Sequence, residues 1–592
     1  MRFRLFCVDR RIENRRGEIF IHGYGPWDMS WKRKRNYAAL LTQERGYFKK
    51  VWGTYNTVCL VYPNHYRIGM ANLGFQTVYK IFNEQPSFLC ERLFLPAPEN
   101  GAEFVSGAAG IVSIENQKPV TEFDILAFSI SFENDYPNIL KIMGQAKIPF
   151  LAAERSEDYP LILGGGIAPT LNPEPLADFF DLFILGESEL ALPKFALSFD
   201  EARRNKKNRR QFLSDIQKKI PGVYVPSLYK VNYEKDSRVQ SIEPVKHTFP
   251  KKIKLNNPKD INAFHTQEAV SASKAEMEKM FLIEANRGCA HYCRFCAASY
   301  VYHPVRFRKA EEIIKSVNQG LERKQKIGLI GTAVCEHPSL IGIMEYIQGE
   351  NAQIGISSLR IDRVSEKIVD MLKAGGVETV ALAPEAGSQK MRDLLGKGIS
   401  EQDIIRAISI LIEKGILNLR LYFMVGLPQE GEEDIDAIIE LVKKVQHTAL
   451  KRTGGKRKFR RITLSINQFI PKPHTPLQWC VLADVQETNR KIKKIVNFFK
   501  KDRQIKVISD VPKWNYIQAF LSRGDRRVSE VLLAVHRLNG NWKKALKEIN
   551  INPDFYVYRQ KSTKEALPWN MIEIGISRQF LVKEFEKTLA GK

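Results

Sequence analysis

The chain has 592 residues, 44% of them hydrophobic and 27% charged. That balance excludes a disordered or fibrous protein and allows two or three separate cores. Lysine and arginine number 91 against 66 aspartate and glutamate, a formal charge of +25; this suits RNA, an anionic membrane surface or an acidic substrate, and equally a merely solvated basic surface.

No apolar run reaches the ~18 to 20 residues that a membrane span needs. The opening stretch MRFRLFCVDRRIENRRG has no apolar signal-peptide core, so a cytoplasmic protein is expected. Of eight cysteines, Cys7, Cys59, Cys90, Cys335 and Cys480 are dispersed, a distribution that argues against a disulfide framework.

In chain order, residues 1–55 read as a basic, aromatic extension. From Val58 the pattern becomes regular. Apolar runs at Val58 to Tyr62, Leu93 to Leu95, Ile125 to Ser131, Leu161 to Leu163 and Leu182 to Leu185 alternate with helical spacing at Gly74 to Phe82 and Asn138 to Gln145. Such alternation predicts an α/β, doubly wound (Rossmann-like) domain over residues 56–200, with its ligand site at the carboxyl ends of the strands. Residues 201–279 read as a charged helix end, a β-rich connector and a lysine-rich linker.

A second alternation starts at Phe281. Strands are expected at Phe281 to Ala285, Ile327 to Ile330, Ile354 to Ser357, Val377 to Leu382, Leu417 to Val425 and Ile462 to Phe469, with Ser starts and Gly stops on the helices between them. Six β/α units over 280–480 predict a partial (β/α)6 barrel of TIM type, whose active site sits at the strand carboxyl ends. Residues 481–592 read as a mostly helical region.

RGCAHYCRFCAASY, directly after the first barrel strand, packs Cys289, Cys293 and Cys296 into eight residues. Three thiolates suit zinc with a fourth ligand, for which His291 and His303 are near in sequence, or an iron–sulfur cluster, normally held by four cysteines. The spacing, with Phe295 before the last cysteine, resembles the signature of the radical S-adenosylmethionine superfamily. That resemblance implies a 4Fe-4S cluster whose fourth iron takes S-adenosylmethionine, a 5′-deoxyadenosyl radical as the reactive species, and an external electron donor such as flavodoxin or ferredoxin.

Later strand ends resemble family features too. GTAVCE, with Gly331 and Thr332, stands where the family contacts S-adenosylmethionine, without the usual Gly-Gly-Glu; Arg360 in SSLRID and Glu385, Gly387 and Ser388 in APEAGS follow the third and fourth strands; Gly426 in MVGLPQE follows the fifth, and FIPKPHTPLQW closes the sixth. Arg360 and Glu385 are the residues the resemblance makes catalytic.

The domain order resembles the cobalamin-binding class of the superfamily, which implies cobalamin and a methyltransferase acting on an unactivated carbon. Ser131 and the glycines Gly164, Gly165 and Gly166 stand at that class's serine and paired-glycine positions. The cobalt-ligand pattern departs: in NHYRIG, Asn64 replaces the aspartate, Tyr66 replaces the axial histidine, and His65 is one residue out of register. Two alternatives remain at this level: a radical RNA-modifying enzyme without cobalamin, and a zinc-stabilised nucleic-acid-binding protein. Two further basic stretches, KRTGGKRKFRR and SRGDRR, are candidate phosphate or carboxylate grips or else solvated or internally paired charges.

Overall fold

The computed structural model describes residues 12–13, 19–20, 26–96, 110–356, 359–455 and 459–590. Cys7, Ser357, Ser358 and part of the KRTGGKRKFRR stretch fall outside them.

The first alternation forms a sheet of five parallel strands: β1 (Asn56–His65), β2 (Phe88–Leu95), β3 (Ile125–Ser129), β4 (Leu161–Gly165) and β5 (Leu182–Ile184). Their order is β2-β1-β3-β4-β5, with β6 (Val223–Tyr224) antiparallel at the far edge. The run Val58 to Tyr62 is buried throughout, as expected where helices cover both faces of a parallel sheet. The first helix, α1 (Leu73–Glu84), starts where Asn72 accepts from the Phe75 amide at 2.9 Å, a side-chain cap for an otherwise orphaned donor. Strand order reverses between β1 and β3, so a crevice opens there at the carboxyl edge, beneath the start of α2 (Tyr136–Gln145). The helix α3 (Ser188–Arg204) follows β5. The β-rich connector is a hairpin of β7 (Tyr229–Tyr233) and β8 (Val239–Pro244).

The second alternation gives parallel strands β9 (Phe281–Arg287), β10 (Lys326–Gly331), β11 (Gln353–Ile356), β12 (Thr379–Glu385), β13 (Asn418–Val425) and β14 (Arg461–Gln468). They form two ladders, β9-β10-β11 and β12-β13-β14. A seventh parallel strand, β15 (Ile505–Ser509), pairs with β14. This strand lies in the mostly helical C-terminal region and adds to the six expected ones: IKVIS is short and only its first residue is buried, so it gives little hydrophobic signal. The long helix α4 (Glu432–Arg452) lies between β13 and β14 in the chain; its last residues, Lys451 and Arg452, and Arg461 at the start of β14 lie at the barrel end opposite the strand carboxyl ends.

Residues 481–592 are largely helical, but the helices do not stand apart. The α5 (Pro512–Arg523) and α6 (Val528–Arg537) helices contribute Phe520, Val531 and Val535 to a core that also holds Cys59 and Val61 of β1 and Ile139 and Leu140 of α2. The last helix, α7 (Arg578–Leu589), reaches back over the cysteine loop. Among the described residues no helix is long and apolar enough to cross a membrane.

Candidate active site

The cysteine loop leaves β9 through Gly288, whose φ of +74° and approach to the Tyr302 carbonyl, 2.3 Å from where a Cβ would stand, admit only glycine. Cys293 is buried, while Cys289 and Cys296 are partly exposed. Burial pushes the Cys293 thiol up to about 11, against the pull of the Lys397 and Arg360 cations; burial likewise raises Cys296. Metal loading must therefore displace protons from at least these two. The Arg294 amide donates to the Leu395 carbonyl at 2.8 Å and its side chain pairs with Glu584 of α7 at 3.2 Å. The Tyr300 hydroxyl donates to the Tyr292 carbonyl at 2.9 Å, and the Tyr292 ring packs edge-on against Phe580 of α7. The loop is thus held from both sides.

Around it stands a charged ring. Glu385 ends β12 in the left-handed region, φ +69°, and its carboxylate meets Lys397 Nζ at 2.8 Å. Arg360 pairs with Asp362 at 2.8 Å, donates to the Lys397 carbonyl at 2.8 Å and lies 3.9 Å from Glu336. His291 Nε2 is 2.5 Å from Glu336 Oε1. Ligand atoms of Cys289, His291 and Glu336 lie within 4.8 Å of one another. Lys397 is the residue that the sequence reading missed; its signal was Gly-Lys-Gly, with both Gly396 and Gly398 at φ +62°, a turn that only glycines make readily and that presents the lysine between them.

Several motif residues serve the framework. A Cβ on Gly387 would stand 2.1 Å from the Ile438 amide of α4, and one on Gly164 2.5 Å from the Phe183 ring. Ser388 caps the helix Gln389–Leu394 and donates to Asp434 at 2.6 Å. The Gly426 amide donates to Glu430, itself paired with Lys491 at 3.0 Å.

The remaining candidates converge. Ser129, Ser131, Gly165 and Gly166 from the N-terminal sheet line one cavity of about 460 Å³ together with Asn286, Gly288, Gly331 and Thr332 from the barrel. The carboxyl ends of both parallel sheets thus open into the same space. Gly166 is needed there, because at φ +105° a Cβ would sit 2.4 Å from the Ile130 carbonyl oxygen. The Thr332 hydroxyl donates to the Gly288 carbonyl at 2.5 Å, tying the second strand end to the cysteine loop.

One arginine clamps the two halves around this cavity. Arg287, at the end of β9, pairs with Glu284 at 2.6 Å, with Glu187 at 2.6 Å and with Glu189. Arg306 adds a second contact to Glu187 at 2.5 Å and donates to the Pro258 carbonyl at 2.6 Å; His303 contacts the Tyr292 hydroxyl. Both residues brace the loop.

In NHYRIG the residues at the family's cobalt-ligand position have partners within the protein. The Tyr66 hydroxyl donates to Glu44 at 2.5 Å, its ring packs on Phe94, and burial pushes the phenol far above its ordinary value. Glu44 in turn is bound by Arg92 at 2.6 Å. Asn64 donates to Asp135 at 2.8 Å and His65 Nδ1 lies 3.4 Å from the Leu95 carbonyl. Tyr66, Asn64 and His65 all lie outside the cavity lining.

A parallel barrel with three cysteines on the loop after its first strand, beside a doubly wound sheet, defines an α/β protein of two parallel-sheet domains. Residues 283–442 match the radical SAM superfamily model and residues 74–226 the model for the N-terminal part of radical SAM proteins. The chain belongs to the radical S-adenosylmethionine superfamily. It is similar to an uncharacterised protein of Methanocaldococcus jannaschii, 28% identical over 480 residues, covering 80% of this chain and 90% of that one. It is also similar to an uncharacterised methyltransferase of Pyrococcus horikoshii, 29% identical over 180 residues, 29% of this chain and 38% of that protein. Among solved structures, the cobalamin-dependent S-adenosylmethionine radical enzyme OxsB, with aqua-cobalamin and S-adenosylmethionine bound, aligns over 90% of this chain and 80% of its own at a TM-score of 0.47 and 16% identity.

Proposed function

We propose that this radical S-adenosylmethionine enzyme is a methyltransferase that holds a corrinoid between its two sheets, with Cys289, Cys293 and Cys296 holding a 4Fe-4S cluster. The observation that carries the reading is the shared cavity, where Ser131, Gly165 and Gly166 of one sheet face Gly288, Gly331 and Thr332 of the other. When bound, the cluster with S-adenosylmethionine supplies a 5′-deoxyadenosyl radical and the corrinoid supplies a methyl carrier.

The donor sets fit these groups. Three thiols beside Lys397 and Arg360 suit an anionic cluster, since the cations offset the charge of the thiolates. Glu336 and Glu385 offer acceptors for an ammonium or for ribose hydroxyls, each already oriented by His291 or Lys397. Ser129, Ser131, Gly165 and Gly166 leave room for a nucleotide-sized group against the backbone at the crevice where ligands of doubly wound sheets sit. With Tyr66 bound to Glu44, the corrinoid is held without a protein ligand to cobalt. Substrate enters on the barrel side, where Arg287 and its three carboxylates keep the sheets from parting and exclude water. The resemblance of the Pyrococcus relative, described as a methyltransferase, agrees with this reaction class.

The test is anaerobic reconstitution with iron and sulfide, followed by incubation with S-adenosylmethionine, reductant and hydroxocobalamin. Iron at cluster stoichiometry, corrinoid retained through gel filtration, and 5′-deoxyadenosine with S-adenosylhomocysteine above a Cys293→Ala control are expected. Zinc in place of iron overturns the enzyme reading; products without retained corrinoid overturn only the methyl-carrier part and favour the RNA-modifying alternative.

A further inference from the structure

Helix α5 ends on Arg523, whose side chain is only 1% exposed. Its Nε, Nη1 and Nη2 all lack a hydrogen-bond partner within the protein. A guanidinium carries five N–H donors in a rigid fork and keeps its charge; burying one without an acceptor is among the costliest arrangements a protein interior can contain. The other two arginines of the same SRGDRR stretch show the contrast, because Arg526 pairs with Glu174 at 3.1 Å and Arg527 with Asp525 at 2.6 Å.

The surrounding charges leave Arg523 uncompensated. Arg559, Lys561 and one carboxylate, Glu565, act on it or on each other. Arg559 already takes both oxygens of Glu565, at 2.8 and 2.9 Å. Lys561 is 4% exposed and donates to the Tyr556 carbonyl at 2.8 Å; burial, with two guanidiniums near, drives its amine well below the ordinary range. Cys480 is the other group beside Arg523, and burial pushes its thiol up to about 12, so it brings no negative charge at neutral pH. With Glu565 held by Arg559, the Arg523 guanidinium is left without a carboxylate partner.

We infer that Arg523 forms a buried binding site for one small monovalent anion, a halide or a carboxylate no larger than acetate, at the junction of α5 with the Arg559–Glu565 turn. A single negative charge balances the cluster, and the free fork matches a carboxylate or a halide in reach of two N–H groups. The site is also fastened to the N-terminal sheet, since the Asn172 side chain donates to the carbonyls of Ser522 at 3.1 Å and Gly524 at 2.8 Å. Asn172 follows the short helix after Gly166, so occupancy stiffens the contact between the C-terminal helices and the cavity wall. This site is independent of which cofactor the cavity holds.

The protein is exchanged into gluconate, a bulky anion, and titrated at constant ionic strength with chloride, bromide, formate or acetate while Tm is read. A saturable rise of about 1–3 °C is expected for the anion class that binds, absent in Arg523→Met; the halide and carboxylate arms identify the source. Crystals grown in bromide provide a second measurement if that variant does not fold: an anomalous peak within hydrogen-bonding distance of the Arg523 fork is expected. Water alone at the fork in those crystals overturns the inference, as does a Tm rise that persists in Arg523→Met. A Cys480 thiolate, seen as thiolate absorbance lost in Cys480→Ser, overturns it as well.

Discussion

The carboxyl edges of the two sheets solve different problems with different residues. On the N-terminal sheet the strand ends carry small residues: Ser129, Ser131, Gly165 and Gly166 line the cavity there. The barrel edge is crowded with thiols and charge, from Cys289, Cys293 and Cys296 to Glu336, Arg360, Glu385 and Lys397. The first edge leaves space and the second fills it with charge. On the proposed function, a sheet that only has to hold a group does without side chains, whereas at the reacting edge each titratable group is positioned by a partner.

The largest effect is expected where the two edges are joined. Arg287→Met leaves Glu187, Glu189 and Glu284 around a buried vacancy with Arg306 and Arg308 as the remaining cations, and is expected to lower stability by about 3–5 kcal/mol. Denaturant unfolding should show this loss together with an earlier, separate transition of the N-terminal sheet. Retention of a single transition at wild-type midpoint would break the comparison, because the edges would then not be held by this clamp.

Next comes the small-residue edge itself. Gly166→Val places a side chain at a left-handed position and into the Ile130 carbonyl, and is expected to cost about 1–3 kcal/mol. Corrinoid retention should fall at least about tenfold, the equivalent of ~1.4 kcal/mol, whereas iron content should stay at the wild-type level. Loss of both together would mean that the edges are not separable in function.

A smaller, pH-dependent effect belongs to Asp135, which burial pushes up to about 6 despite hydrogen bonds from Asn64 and Asn138. Its folded value lies above the ordinary carboxylate value, so its contribution is fully present below about pH 4 and is lost as pH rises through about 6. Asp135→Asn should therefore flatten the pH dependence of stability between pH 4 and 7 and gain roughly 1–2 kcal/mol at pH 7 to 8 relative to its effect at pH 4. Tm measured across that range checks the sign.

The smallest effect is expected at Tyr66. Tyr66→Phe removes one hydrogen bond to Glu44 while Arg92 keeps both Glu44 oxygens, at 2.9 and 2.6 Å, so about 1 kcal/mol of stability is at stake. The visible spectrum of the bound corrinoid should be unchanged. A spectral shift in this variant would return Tyr66 to the cobalt.

Much of this molecule was legible in order along the chain. Apolar runs marked all five parallel strands of the first sheet and six of the barrel, because strands buried on both faces carry their signal locally. The cysteine loop was legible too, since three thiols within eight residues have few structural uses. The strand Ile505–Ser509 was not, because a half-exposed edge strand of five residues lacks that signal.

What the sequence determined by itself, then, is the list of strands, their alternation with helices and the chemistry of one loop. The tertiary structure decided which distant residues share a space. It brought Ser131 and Gly166 to face Gly331 and Thr332, set Lys397 against Glu385, turned Tyr66 away to Glu44, and left Arg523 buried without an acceptor. The physical reason is that periodicity and spacing report on neighbours along the chain, whereas the pairing of a buried charge depends on which sheets and helices meet around it.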